Sequence, residues 1–212
     1  MMIQSRILAS VKESIQAMQQ LELPSSLEFI TQAAEMIAAC FQQGGKLIIA
    51  GNGGSLCDAA HFAEELTGQF RGKRRALPAI ALTEAGHLTC TANDFGFDWV
   101  FARGVEAYGK PEDVFIGLTT SGNSPNIVQA FKVAKGLGLK TIAFLGKEGG
   151  VLKGTAHLEL LIRGFKTSDR VQEVHMSAIH IIIEMVEIHL FGATDSVASS
   201  GEHVLARVVY SS

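Results

Sequence analysis

Five short apolar runs set the strongest constraint on the fold of this chain: KLIIA (46–50), AIAL (79–82), DVFIGL (113–118), KTIAFL (140–145) and HLELLI (157–162). Each is too short for a helix, and helical patterns lie between them. Strands that read as unbroken apolar stretches are buried on both faces, and crossover helices supply those faces. The expected fold is therefore α/β, a doubly wound parallel sheet of five strands. Two helical patterns precede it, at about 3–20 and 26–43, separated by LELPSS. In the second, Phe29, Ile30, Ala33, Ala34 and Ile37 recur at helical spacing until Gly44–Gly45 stops it. A last long helix is expected over 169–191, capped by Ser168 or Asp169. Residues 192–212 change to small and polar types, which reads as a flexible tail beyond a single domain of residues 1–191.

Of 212 residues, 47% are hydrophobic and only 18% charged, which provides a large core and suggests that some apolar surface is shared between subunits. The net charge of −3 leaves no basic surface for nucleic acid. The densest basic cluster, Arg71, Lys73, Arg74 and Arg75, reads as a solvated loop. Cys40, Cys57 and Cys90 are widely spaced, as reduced thiols in a cytosol would be. The N-terminal MMIQSRILASVKESIQ has Lys12 and Glu13 where a signal peptide needs its apolar centre. The most apolar segment, 178–190, is interrupted by His180, Glu184, Glu187 and His189 and is too short to span a bilayer. A cytoplasmic location with no membrane association is the expectation.

Two strand-to-helix connections carry chemistry. GNGGS (51–55) follows the first run but lacks both the third glycine of a dinucleotide loop and the lysine of a Walker loop; Ser55 is expected to cap the next helix. TTSGNSPNI (119–127) sets the hydroxyls of Thr119, Thr120, Ser121 and Ser124 around Gly122, with Pro125 suited to a first helical turn. Hydroxyls, free backbone N–H groups and a helix N-terminus bind phosphate without a cation. Either loop alone could be simple capping; two after successive strands favour a bound phosphate. In IIAGNGGSLCDAAHFAEEL, the first loop runs straight into a helix with His61 and Glu65 on one face, while Glu64 points about 100° away. Such a pair is either a solvated salt bridge or a proton-transfer pair held in register with the loop.

GNGGS, HFAEELTG, the ANDFGF of 92–97, TSGNS and the RVQEVHMSAIH of 170–180 resemble the sedoheptulose-7-phosphate isomerases, or phosphoheptose isomerases, of the sugar isomerase (SIS) fold. The similarity runs in register from about residue 5 to 191. It implies a flavodoxin-like sheet and a homotetramer. It also implies an aldose–ketose isomerase acting on sedoheptulose 7-phosphate, with one zinc ion per subunit. The resemblance places the metal ligands at His61, Glu65, Gln172 and His180, and the acid–base pair at Glu65 and His180. It places substrate contacts at Asn52, Gly53, Gly54, Ser55, Glu65, Asn93, Asp94, Thr119, Thr120, Ser121, Ser124, Asp169 and Gln172. Thr119 stands where the family has serine and keeps the hydroxyl. Two rivals remain: a non-catalytic SIS adaptor that binds the replication initiator, which lacks the Glu and His matching Glu65 and His180, and an SIS isomerase for another sugar phosphate.

One expectation concerns oligomer geometry. Gln172 and His180 are eight residues apart, about 12 Å along a helix and roughly 80° around it. Ala178, Ile179, Ile181, Ile182, Ile183, Met185 and Val186 make that helix apolar on nearly every side. A metal ligated by both residues is then expected to draw them from two different chains.

Overall fold

The structure, a computed structural model, describes residues 2–192. All five apolar runs are strands: β1 (Leu47–Gly51), β2 (Ala79–Ala81), β3 (Val114–Thr119), β4 (Lys140–Gly146) and β5 (Leu158–Ile162). They form one parallel sheet in the order β2-β1-β3-β4-β5. Ile49 of β1 pairs with Ala81 of β2 on one side and Ile116 of β3 on the other. Successive side chains alternate between the faces. Leu47, Ile49, Ile116 and Phe144 pack into one core beneath α2 (Pro24–Gln42), α3 (Gly54–Thr67) and α7 (Ser168–Phe191). Ile48, Phe115, Ala143 and Leu145 pack into a second core beneath α5 (Ala102–Tyr108) and α6 (Pro125–Gly136). Gly117 leaves room for α6 against the sheet: a Cβ there would lie 2.3 Å from the Phe131 ring.

α3 leaves β1 toward the first core and α6 leaves the adjacent β3 toward the second. The crevice between the carboxyl ends of β1 and β3 is thus the topological switch point, where open α/β sheets bind ligands. The helix α1 (Met2–Met18) and a 3₁₀ turn (Gln19–Glu22) precede α2, and α4 (Ala85–Phe95) follows β2.

Helix starts differ from expectation. Ser55 does not cap α3; Gly53 does, at φ 55°, a conformation that favours glycine, and Ser55 is buried inside the first turn. α7 is preceded by Thr167 in extended conformation, so Ser168 and Asp169 lie within its first turn. Pro24 and Pro125 each occupy the start of a helix, where a missing N–H costs nothing.

α7 spans 24 residues, long and apolar enough by length and composition alone to cross a membrane. Burial explains its composition. Val171, Val174, Ala178, Ile179, Ile182, Ile183 and Val186 recur at spacings of three and four and face the core. The opposite face holds Gln172, Glu173, Ser177, His180, Glu184 and Glu187, so the helix is amphipathic rather than apolar all round. Of the tail expected over 192–212, only Gly192 is among the described residues.

Candidate active site

At the switch point the two glycine-rich loops are tied together. The Asn52 and Asn126 carboxamides exchange reciprocal hydrogen bonds, each 2.9 Å, across the crevice. In the second loop Thr119 is buried, and its Oγ1 lies 3.1 Å from the Ser124 hydroxyl and 3.5 Å from that of Ser121. Thr119 Oγ1 also accepts from the Gly122 amide at 3.2 Å. Gly122 has φ 66°, and a Cβ there would stand 1.8 Å from the Gly149 carbonyl, so no other residue fits. Thr120 Oγ1 donates to Ser168 at 3.2 Å, joining this loop to the start of α7.

α3 and α7 run side by side in the same direction, with polar stripes facing each other. At the loop end, Gln172 Nε2 donates to Ser55 Oγ at 3.4 Å. A Cβ on Gly54 would fall 2.7 Å from that carboxamide, so a larger residue there would displace the Gln172 side chain. Two turns along, His180 Nε2 of α7 lies 3.3 Å from His61 Nε2 of α3, and Glu65 Oε1 lies 3.2 Å from the same His61 atom. Phe70 stacks on the His180 ring with centroids 5.7 Å apart. Arg74, expected in a solvated loop, is buried: it pairs with Glu187 and donates to the carbonyls of Glu65 (2.7 Å) and Leu66 (2.9 Å), closing the C-terminal end of α3. Arg71 pairs with Glu184 beside it. Glu64 is exposed, as its position on the helix required.

His61, Glu65 and His180 offer three ligand atoms within 4.8 Å of one another. Two histidine nitrogens facing each other at 3.3 Å cannot both be donors, and Glu65 adds a further lone-pair atom. A tetrahedral centre with N and O ligands at 2.0–2.2 Å spaces its ligand atoms about 3.4 Å apart. The observed 3.2 and 3.3 Å fit that spacing, so the three residues form a group able to hold a metal ion.

The SIS domain family matches residues 9–146 of the chain. The phosphoheptose isomerase of Fusobacterium nucleatum is 56% identical over 160 residues, covering 76% of this chain and 82% of that protein. The phosphoheptose isomerase of Pectobacterium atrosepticum is 46% identical over 187 residues, covering 88% and 97%. Among solved structures, a phosphoheptose isomerase from Neisseria gonorrhoeae superposes with a TM-score of 0.81 at 38% identity, covering 87% of this chain and 98% of the other.

The chain belongs to the phosphoheptose isomerase family.

The positions that family resemblance assigns fall into four groups. Gly53, Gly54, Ser55, Thr119, Thr120, Ser121 and Ser124 line the two loops, with Asn52 committed to Asn126. Glu65, His61 and His180 converge at the far end of the groove. Gln172 sits at the loop end, two turns of α7 before His180. Asp169 begins the same face of α7, its carboxyl held below the usual range chiefly by a hydrogen bond from the Thr167 side chain. Asn93 and Asp94 stand apart on the exposed α4, hydrogen-bonded to each other at 2.8 Å. His180 meets His61 and Glu65 of its own chain, while Gln172 lies two turns away beside Ser55, so one ion held by all four residues would still draw Gln172 from a neighbouring chain.

Asp58, one turn before His61, was not singled out from the sequence, although its spacing on α3 matches the polar stripe. Its Oδ2 is buried without a partner, and burial, partly offset by His61, pushes the carboxyl up to about 6. Phe70 and Arg170 were missed as well. No sequence pattern marks the former, while the latter lies inside the matched RVQEVH segment.

Proposed function

We propose that this protein is an aldose–ketose isomerase converting sedoheptulose 7-phosphate to D-glycero-D-manno-heptose 7-phosphate, the first step toward nucleotide-activated heptose for bacterial surface glycans such as lipopolysaccharide. The observation that carries the reading is the placement of Glu65, His61 and His180 at one end of a groove whose other end is the pair of hydroxyl-rich loops.

The phosphate takes the loop end, where the first turns of α3 and α6 present backbone N–H groups and Thr120, Ser121 and Ser124 present hydroxyls. From Ser55 to His61 is six residues of helix, about 9 Å, on the scale of a seven-carbon chain lying along the groove. The Glu65 carboxylate takes a proton from C1 of the ketose, giving an enediol, and returns it to C2. His180 serves the oxygens, so that O2 gains a proton as O1 loses one; the C2 carbonyl becomes a hydroxyl and C1 an aldehyde. His61, Glu65 and His180 would hold a zinc ion, which two imidazoles and a carboxylate suit; Gln172, the fourth ligand the resemblance implies, lies beside Ser55 and would reach that ion only from a neighbouring chain. The chemistry a bound zinc supplies there is Lewis-acid polarisation of the sugar oxygens.

We further propose a cytoplasmic homotetramer. Ile3, Ile7, Val11 and Ile15 on α1, and Phe95, Phe97 and Trp99 around the end of α4, are exposed. Apolar surface on that scale supports burial between subunits, and it would also bring the exposed Asn93 and Asp94 near a neighbour.

The test is incubation of zinc-loaded protein with sedoheptulose 7-phosphate while following the aldose phosphate. Turnover supports the proposal. A zinc-loaded protein that is inert, or that isomerises a pentose or hexosamine phosphate faster, would overturn it; inertness together with binding to a replication initiator would favour the adaptor.

A further inference from the structure

α1 is held to the rest of the protein in an unusual way. Along its 17 residues only Ala17 is buried, and its isoleucines face outward. Its main attachment to α7 is polar. Ser14 donates to Glu173 at 2.9 Å, and Arg170 donates from Nε to Glu13 at 3.2 Å and from Nη2 to the Ser10 hydroxyl. The same guanidinium donates to Glu173 at 2.6 Å and lies 3.5 Å from Asp169. Its side chain is 10% exposed, against 51%, 56% and 41% for Glu13, Asp169 and Glu173. Three half-exposed carboxylates on two helices thus converge on one buried cation. A planar fork with five donors can serve these and the Ser10 hydroxyl together, whereas an ammonium has only three donors and no fixed fork.

This joint borders the candidate site. A cavity of about 630 Å³ lies between α1, α3 and α7, with Ser14 and Met18 from α1 on one wall and Asp58, Asp169, Gln172 and Glu173 on the others. Asp169 and Gln172 are two of the substrate contacts the family resemblance implies, and the inference rests on the proposed function. We infer that Arg170 is a positioning residue: it latches α1 against α7, so that α1 closes this wall of the substrate cavity and the Asp169 carboxylate is held in direction. It touches no substrate. Loosening the latch lets the wall move and Asp169 turn, so substrate is held less well while proton transfer at Glu65, two turns along α3 from Asp58, is little changed.

The test compares Arg170→Lys, Glu13→Gln and their combination in the full chain. Arg170→Lys keeps the charge but not the fork, and is expected to raise KM for sedoheptulose 7-phosphate about tenfold with kcat within about twofold of the unaltered protein. Glu13→Gln, on the half-exposed side of α1, should raise KM about threefold, and the double variant should be no worse than Arg170→Lys, because both cut one joint. Hydrogen exchange over residues 2–18, read without substrate, should quicken in both variants. A lower melting temperature with KM unchanged would make Arg170 a purely structural residue and overturn the inference, as would unchanged exchange in α1. If the unaltered protein fails to isomerise the sugar, the functional reading fails by itself, and exchange in α1 then decides the latch.

Discussion

His175 and His180 lie on the same helix, five residues and about 140° apart, and they have opposite surroundings. His175 is fully buried against β4: its Nε2 donates to the Leu145 carbonyl at 3.1 Å, and its ring meets Phe144 edge-on. Burial pushes it down to about 4, partly opposed by that carbonyl, so at neutral pH it is an uncharged packing group. His180 faces the groove, 3.3 Å from a second imidazole that is itself 3.2 Å from a carboxylate. One face of α7 is therefore packed into the core, and the other presents polar groups to the groove. A histidine's role follows from the polar atoms that meet it, not from its being a histidine in an apolar helix.

If the two faces are separable in this way, substitutions should dissociate function from folding. The largest effect is expected on the groove side. Glu65→Gln is nearly isosteric but cannot accept a carbon-bound proton, so kcat should fall by about 10²–10⁴-fold while the melting temperature is unchanged. Loss of stability in step with activity would show that the groove residues also hold the fold. His61→Ala should abolish stoichiometric zinc binding without unfolding the protein, as measured by metal analysis after dialysis.

On the buried side the pattern should invert. His175→Ala removes a packed ring and the donor to Leu145 and should cost about 2–4 kcal/mol in denaturant unfolding, with activity per folded molecule retained. The same residue gives a pH signature. Its folded value is depressed below the unfolded 6.5, so its contribution to stability is intact above pH 6.5 and is lost as pH falls toward 4. That loss amounts to about 3 kcal/mol once both values are passed. Urea midpoints at pH 7 and 4.5 should drop further in the unaltered protein than in His175→Gln. The smallest effect is expected for Cys57→Ser, an exposed thiol on α3 outside the cluster: zinc content and kcat should not move. If only this variant loses zinc, the ligands are wrongly assigned.

The difference between the two faces was only half legible in the sequence. Strand positions could be read to within about a residue, because burial on both faces leaves continuous apolar runs such as DVFIGL. The two glycine-rich loops were legible through glycine, serine and threonine, whose conformational roles are local. Helix starts were misplaced where geometry overrode capping preference, as at Gly53, whose positive φ sets the entry to α3. The groove was the least legible part. The 8-residue spacing of Gln172 and His180 suggested two chains when α7 was considered by itself. The structure separates the two: α3 runs parallel to α7 and meets Gln172 at Ser55 and His180 at His61, so the metal-holding group of one chain contains His180 without Gln172. Residues 119 apart in sequence share no periodic signal, and Arg170 and Asp58 matter through neighbours that only the tertiary fold supplies.

The central claim is that one chain's α3 and α7 together make the complete proton-transfer centre. The most direct measurement mixes inactive Glu65→Gln subunits with inactive His180→Ala subunits under conditions where exchange into mixed oligomers is demonstrated. A centre built within one chain gives no recovery, because every site lacks one of the two groups. Recovery of a substantial fraction of activity would place Glu65 and His180 of a working site in different chains and contradict the claim.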